Sequence, residues 1–264
     1  MADLPELEIG GKTPLMLGDT PSLDALAKCG CCGSILPLPE EVELTRENAI
    51  LSLLGYDFRR GAPERESLAS FGKIRIGNNY DSEPGYFIIP KFSGHGVVIS
   101  SSPEVRGIGK MALLKPMDVI SLSNDADSAL RLKAEYAIKA IERYEFVLLH
   151  VECVAAMSRR GDLRGKIDAI ERVDRQIITP IADYVWNAKE QMNMVVVSDC
   201  ITSWRSRGNE RGEVPAVVYF NDDLPYDTVA FDESSVVDGP LNTPLPGDLI
   251  RKLMTFEPIV ENGD

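Results

Sequence analysis

The residues most able to do chemistry follow an apolar run near the middle of the second half of the chain. The run Met194–Val197 is followed by Ser198, an acid at Asp199 and a thiol at Cys200. A carboxylate at a strand end either binds a cation or caps the following loop, and we favour the cap. No histidine lies near Cys200 in sequence to activate the thiol, so we favour a small buried hydrophobe over a reactive group or soft ligand.

Three cysteines in "AKCGCCGS" could suggest a metal knuckle or a redox site. A metal knuckle usually needs a second cysteine pair at matching spacing, whereas Cys153 and Cys200 each lie beside a predicted strand end. We therefore expect reduced thiols rather than a structural zinc.

Composition limits the class of protein. The chain has 264 residues, 44% hydrophobic content and a formal net charge of −13. Such acidity argues against a nucleic-acid surface, and no apolar run approaches the length of a membrane span. The start "MADLPELEIGGKTPL" lacks the basic and apolar regions of a secretory signal. We expect a cytoplasmic protein with no nucleic-acid or membrane partner.

Short apolar runs alternate with helical patterns along the chain. "GVVISS", "DVISLS", "FVLLHV" and "MVVVSD" are typical of buried parallel strands, with "AVVYF" as a fifth. The alternation predicts an α/β fold with a mainly parallel sheet and helices on both faces. The working site of such a sheet lies at the carboxyl ends of its strands.

Three further segments carry local predictions. Pro180 should kink or break a long helical pattern. The glycines of "VRGIGK", Val105–Lys110, lack phosphate-loop spacing and predict a tight turn into a helix. Residues 62–85 lack periodicity and are rich in turn formers, which predicts a surface connection.

Several stretches resemble the archaeal-type cofactor-independent phosphoglycerate mutases of the alkaline phosphatase superfamily. They include "LPELEIGGKTPLMLGDTPSLDALAKCG", "AILSLLGYDFRRG", "EFVLLHVECVAAMSRRGDLRGKIDAIERVD" and "VVVSDCITS", in matching order and spacing. The resemblance implies one alkaline-phosphatase-like domain over residues 1–264. It also implies that the family's large cap domain is absent, with residues 62–85 in its place.

Enzymes of this family use two manganese or zinc ions and a transiently phosphorylated serine, which suits transfer of phosphate between hydroxyls. The resemblance places Arg46 at the serine position and leaves Asp199 as the retained metal-ligand position. Other ligand positions hold residues that differ from the family pattern: Ala155, Arg159, Cys200 and Asn209.

The arginines at or near these positions admit two interpretations. Arg46 and Arg159, with Arg106 nearby, could bind an anion, because a guanidinium recognises phosphate or carboxylate through a planar fork. Alternatively, Arg46 pairs with Asp199 or Glu47 and fills an emptied site.

The resemblance and the substitutions together indicate a degenerate homologue of a glycolytic enzyme, catalytically inactive and without a metal cofactor. Its role would be binding or regulatory, with a small phosphorylated or carboxylate ligand as the expected partner. A homodimer or a full-length paralogue is a further expected partner. The alternative is an active, metal-dependent mutase or phosphatase with two Mn or Zn ions on non-standard ligands, or a start upstream of Met1 that would restore a first strand.

Overall fold

The computed structural model describes residues 1–56, 58, 95–119, 125–220, 228–241 and 249–250. The predicted connection at residues 62–85 lies outside these residues, so its assignment stays a prediction.

Helices and strands alternate through most of the described chain. The helices are a 3-10 turn at Leu7–Ile9, α1 (Pro14–Leu17), α2 (Pro21–Cys29), α3 (Arg46–Leu53), α4 (Pro103–Met111), α5 (Ala126–Ile141), α6 (Cys153–Arg160), α7 (Leu163–Val173), a π-helix (Asp174–Ile178) and α8 (Thr179–Trp186). Several begin after a side chain that accepts a hydrogen bond from the amide three residues on: Thr13, Thr45, Ser102, Asp125 and Asp162. Of the described helices, none is long and apolar enough to cross a bilayer.

Within the described ranges, the strands form two three-stranded sheets and a short hairpin. They are β1 (Cys31–Ile35), β2 (Gly96–Ile99), β3 (Lys115–Met117), β4 (Phe146–Leu149), β5 (Asn193–Val197), β6 (Ile201–Thr202), β7 (Asn209–Glu210) and β8 (Val214–Phe220). One sheet has the order β3-β2-β4 with parallel pairing, and the other has the order β1-β8-β5 with antiparallel pairing. Strands β6 and β7 form the hairpin.

The predicted α/β class with a parallel sheet and helices is confirmed. Most of the strand predicted at "DVISLS" lies outside the described residues, so that assignment stays a prediction, and the described strand β3 ends just before it at Met117. One detail differs. The strand predicted as parallel at "MVVVSD" is β5, which pairs antiparallel with β8. The described connection from β5 to β8 contains a hairpin and no helix, and a strand that returns without a crossover runs antiparallel.

Two apolar clusters cover opposite faces of β4. Val147 and Leu149 pack against the cluster built from α5, the π-helix and α8. Phe146 and Leu148 pack against the cluster built from α3 and α4. Successive side chains on a strand point to opposite faces, so β4 is sandwiched between two helical layers.

Glycine at position 109 has a packing role rather than the predicted turning role. The segment Val105–Lys110 lies inside α4, so the predicted turn there is wrong. A Cβ atom on Gly109 would lie 2.2 Å from Cγ1 of Val98. The glycine therefore lets α4 approach β2 closely.

Candidate functional site

The carboxyl ends of β4 and β5 lie together. Helix α6, which follows β4, contacts β6, which follows β5. A cavity of about 870 Å³ opens between the two strands. Its lining at this end includes Arg46, His150, Glu152, Ala155 and Asp199. The crevice predicted at the carboxyl ends of the strands is therefore present, and it is lined by strands of both sheets.

Arg46 is held by two carboxylates. It is the first residue of α3, and its side chain is 13% exposed. One guanidinium nitrogen lies 3.2 Å from Oε1 of Glu47, and the other lies 3.4 Å from Oε1 of Glu152. Its Nε atom finds no hydrogen-bond partner among the described residues. The pairing of Arg46 with Glu47, one of the two partners expected from the sequence, is present. Its second partner is Glu152 rather than Asp199.

His150 lies directly after β4 and is a neutral histidine whose side chain is 11% exposed. Its Nδ1 atom lies 3.0 Å from Oγ of Ser100. Burial, and then the nearby charges of Arg46 and Lys133, together lower the pKa of His150 to about 3. The imidazole therefore stays uncharged near neutral pH.

Ser100, His150 and Glu152 do not form a nucleophile relay. Such a relay needs the hydroxyl and the acid on different ring nitrogens, whereas Oε1 of Glu152 lies 3.7 Å from the same Nδ1 that meets Ser100. Ser100 is fully buried, and its Oγ accepts a hydrogen bond from the Ser102 amide at 3.1 Å. The hydroxyl has a structural role.

Asp199 caps its own loop. Its Oδ1 accepts a hydrogen bond from the Cys200 amide at 2.9 Å, as the preferred interpretation of the sequence expected. Burial and then the charge of Asp199 raise the pKa of the Cys200 thiol to about 12, although Arg159 lies close enough to oppose this. A buried thiol with so high a pKa is unreactive at neutral pH.

The residues at the predicted ligand positions do not fit a two-metal centre. Ala155 carries no donor atom, and Arg159 is an exposed cation. Asn209 lies in β7, where its Oδ1 accepts a hydrogen bond from Oγ1 of Thr202 at 3.5 Å. Within the part of the chain that the structure describes, no three His, Cys, Asp or Glu side chains are grouped to hold a metal ion.

Arg106 serves the backbone rather than the crevice. Its NH1 donates to the carbonyl oxygens of Ser100 and Ser101 at 2.9 and 3.2 Å. The same nitrogen lies 3.1 Å from Oδ2 of Asp118. These contacts tie the loop that follows β2 to the segment that follows β3. They also engage the Arg106 guanidinium in contacts within the protein.

The sequence analysis missed a buried ion pair beside the crevice. Nζ of Lys166 lies 2.6 Å from Oδ2 of Asp3, and the two side chains are 1% and 0% exposed. Lys166 also donates to the carbonyl oxygen of Thr202 at 2.8 Å. The signal was available, because Lys166 lies three, four and seven residues before Ala169, Ile170 and Val173 on the buried face of α7.

Similarity to solved structures defines the fold class. The structure of the PH0037 protein from Pyrococcus horikoshii matches with a TM-score of 0.83 and 19% identity, covering 100% of this chain and 96% of that one. The cofactor-independent phosphoglycerate mutase from Thermoplasma acidophilum matches with a TM-score of 0.65 and 17% identity, covering 97% of this chain and 96% of that one. The chain therefore has the α/β fold of the cofactor-independent phosphoglycerate mutases.

The sequence comparisons then give the family. A family model of the Metalloenzyme superfamily matches residues 1–224, so the chain belongs to that superfamily. The 2,3-bisphosphoglycerate-independent phosphoglycerate mutase of Methanosarcina mazei is 31% identical over 160 residues, which cover 60% of this chain. The chain spans 40% of the length of that relative. The corresponding mutase 2 of Methanothermobacter thermautotrophicus is 22% identical over an alignment that covers 92% of each chain.

Proposed function

We propose that the protein is a catalytically inactive relative of the 2,3-bisphosphoglycerate-independent phosphoglycerate mutases. It binds a small phosphorylated or carboxylate-bearing ligand at the carboxyl ends of β4 and β5, and it needs no divalent metal to do so. The observation that carries the proposal is Arg46, a guanidinium at the position that the resemblance assigns to the nucleophile, held between Glu47 and Glu152. A guanidinium offers neither a transferable proton at neutral pH nor a nucleophilic oxygen.

The surrounding groups support the same proposal. The His150 imidazole is neutral and hydrogen-bonded, and the Cys200 thiol is buried with a raised pKa. Asp199 uses one carboxylate oxygen to cap its loop. None of these three groups is placed to act as an activated nucleophile or to complete a metal site with the others.

Arg159 is the arginine best placed to meet a ligand. Arg46 and Arg106 already pair with carboxylates, whereas Arg159 is exposed at the end of α6 and close to Cys200. Arg159 lies beside the cavity lining, which includes Ala155 and Ser158 of the same helix. An exposed arginine at a helix carboxyl end can receive an anion through two parallel hydrogen bonds.

Metal content and turnover test the loss of catalysis. The purified chain is equilibrated with manganese or zinc, dialysed and analysed for metal per chain, and interconversion of 2- and 3-phosphoglycerate is assayed in parallel. We expect far less than one metal per chain and no turnover above buffer. Two metals per chain with turnover would establish the alternative, an active mutase with other ligands. Arg46→Ser restores a hydroxyl without restoring ligands, and we expect it to stay inactive as well.

Calorimetric titration tests the ligand class. With 3-phosphoglycerate or inorganic phosphate at low salt, Arg159→Gln should weaken binding about tenfold, as expected for one charge-assisted contact. Arg164→Gln is the matched control, because it removes the same charge from an exposed position on α7. Equal weakening by both variants would indicate nonspecific attraction and contradict the site.

A further inference from the structure

Three exposed arginines surround the carboxyl end of α6. Arg159 and Arg160 are the last two residues of that helix, and Gly161 ends it. Arg207 comes from the turn between β6 and β7, and its guanidinium lies against the backbone of Gly161. A Cβ atom on Gly161 would lie 2.7 Å from Nε and 3.1 Å from Cζ of Arg207. We call Arg159, Arg160 and Arg207 the arginine cluster.

The described residues do not neutralise the arginine cluster. The arginines that pair with acids within the described ranges lie elsewhere: Arg46, Arg106, Arg172, Arg175 and Arg205. Asp162 follows Gly161 directly, but its carboxylate caps α7 by accepting a hydrogen bond from the Gly165 amide at 2.8 Å. In a chain with 41 acidic and 28 basic residues, an exposed arginine meets an acid more readily than another arginine. The cluster therefore concentrates positive charge against the overall charge of the molecule.

The helix end accounts for only part of this charge. The carboxyl end of a helix carries about half a negative charge, which suits the two arginines in the last turn of α6. A third cation at the same end adds repulsion from both of them. Within the described part of the chain, no hydrogen bond joins Arg207 to the carbonyl groups of α6. Capping of the helix is therefore a weak reason for an arginine at position 207.

The backbone of Arg207 is also unfavourable for an arginine. Its φ angle is 60°, in the left-handed region that glycine adopts without strain. The turn around it is well ordered, because Oγ of Ser203 accepts hydrogen bonds from the Arg205 and Ser206 amides at 3.2 and 3.3 Å. The Ser203 amide donates to the Gly208 carbonyl at 2.9 Å. A strained residue whose side chain has no internal partner among the described residues points to a role in binding.

The arginine cluster lies at the rim of the crevice. Ala155 and Ser158, one turn earlier on α6, line the cavity, and so does Asp199 after β5. Arg159 is close enough to Cys200, the next residue, for its charge to act on that thiol. Helix α6 also contacts β6, which leads into the turn that carries Arg207. A ligand held by Arg159 is therefore within reach of Arg207.

We propose that Arg207 is a second anion-binding residue at this rim and that, with Arg159, it selects a ligand with two linked phosphoryl groups over a ligand with one. A single phosphoryl group carries a charge of about −1.5 to −2 at neutral pH, so at least one charge of the cluster stays unneutralised. Two linked groups neutralise all three charges, and each group meets one planar guanidinium fork. The inference rests on the proposed function, because Arg159 holds the first phosphoryl group in both.

Calorimetric titration with two probes tests the selectivity. Inorganic pyrophosphate and inorganic phosphate are titrated into the full chain at equal ionic strength and without divalent metal. Pyrophosphate should bind at least about tenfold more tightly than phosphate, as expected for one additional charge-assisted contact. Equal affinities for the two probes would overturn the inference.

Three variants assign the selectivity to its residue. Arg207→Gln should weaken pyrophosphate binding about tenfold and change phosphate binding by less than about twofold, whereas Arg159→Gln should weaken both. Arg164→Gln removes an exposed charge from α7 and is the matched control. Equal weakening by Arg164→Gln and Arg207→Gln would indicate general attraction and overturn the inference.

The same variants separate this inference from the proposed function. If Arg159→Gln weakens phosphate binding while Arg207→Gln leaves pyrophosphate binding unchanged, the proposed function stands and the second residue is excluded. If the wild-type chain binds neither probe, both are overturned.

The variant Arg207→Gly distinguishes binding from a purely structural role. Glycine adopts the observed φ angle without strain, so the melting temperature should stay within about 2 °C of the wild type. Pyrophosphate binding should nevertheless weaken about tenfold, because the guanidinium is gone. A lower melting temperature with unchanged pyrophosphate affinity would show that Arg207 only supports the end of α6, and it would overturn the inference.

Discussion

Two cations line the cavity, Lys166 and Arg46, and they differ in burial and in what holds them. Lys166 and Asp3 form a pair that is almost fully inaccessible, and backbone carbonyls complete the contacts of the ammonium group. Arg46 is shared between Glu47 and Glu152 and keeps one nitrogen without a partner among the described residues. Breaking a fully buried pair costs more than losing a half-exposed one, because the remaining charge cannot be hydrated.

Removing the Lys166 ammonium should strongly destabilise the fold. Lys166→Met leaves the Asp3 carboxylate charged and buried, and we expect the free energy of unfolding in urea to fall by about 4 kcal/mol. Adding Asp3→Asn to this variant should recover part of the loss. The control is Arg172→Met, whose exposed pair with Asp127 should contribute less than about 1 kcal/mol. Similar losses for the two single variants would contradict the buried pair's role.

His150 should make the fold sensitive to acid. Its pKa of about 3 in the folded state lies below its ordinary value of 6.5, so the unfolded chain takes up a proton first as the pH falls. Stability should therefore be fully present above pH 6.5 and decline by up to about 1.4 kcal/mol per pH unit towards pH 3. The facing groups are Arg46 on α3, Lys133 on α5, and Ser100 and Glu152 beside the ring.

Urea unfolding at several pH values measures this effect. His150→Asn cannot titrate, so its stability should fall less steeply than that of the wild type between pH 6.5 and pH 4. His95→Asn changes an exposed histidine and should follow the wild type. Identical slopes for wild type and His150→Asn would show that the buried imidazole takes up a proton without loss of stability.

At the scale of elements, the helix that contains Pro180 accommodates the proline without ending. The predicted kink or break takes the form of a π-helix at Asp174–Ile178, followed directly by α8. Proline lacks the amide that an α-helix needs. The Asp174 carbonyl accepts a hydrogen bond from the Thr179 amide, which is the wider spacing of a π-helix, and it also accepts one from Oγ1 of Thr179 at 2.9 Å. The wider turn buries Asp174, whose carboxylate then meets a different helix.

Asp174 should act as a cap for α2. Its Oδ1 accepts from the Leu23 amide at 2.8 Å and its Oδ2 from the Ser22 amide at 3.2 Å, both in the first turn of α2. Asp174→Ala leaves these amides unsatisfied, so we expect a loss of about 2 kcal/mol in urea unfolding. Asp162→Ala, an exposed cap on α7, should lose about 1 kcal/mol. A smaller loss at Asp174 than at Asp162 would exclude the cap between helices.

At the scale of the whole molecule, charge works against compaction. The formal net charge is −13, with 41 acidic against 28 basic residues. Exposed acids such as Glu40, Glu41 and Glu43 lie close together in sequence. Mutual repulsion of like charges favours expanded states, and dissolved salt screens it.

Added salt should therefore raise the melting temperature. Between about 20 mM and 300 mM sodium chloride we expect Tm to rise by about 3 °C, which corresponds to about 1 kcal/mol. The triple variant Glu40→Gln, Glu41→Gln, Glu43→Gln removes three of the acidic charges and should show a smaller rise. A fall in Tm with salt, measured by circular dichroism, would mean that attractive pairs outweigh the repulsion.

The sequence by itself determined the local structure of this protein. Strands β2 and β4 lie where the apolar runs "GVVISS" and "FVLLHV" predicted them, because such runs depend on neighbours a few residues apart. The burial of Lys166 also follows from its helical spacing relative to the apolar residues of α7. Resemblance, rather than periodicity, supplied the family, and the match over residues 1–224 confirmed it.

Only the tertiary structure decided which edges and charges meet. Glu152 reaches Arg46 across 106 positions of sequence, and no local pattern ranks it above Asp199 or Glu47 as a partner. The antiparallel pairing of β5 with β8 and the cavity between β4 and β5 depend likewise on how whole layers pack. Local sequence sets the shape of each element, whereas long-range packing sets the neighbour that each free edge finds.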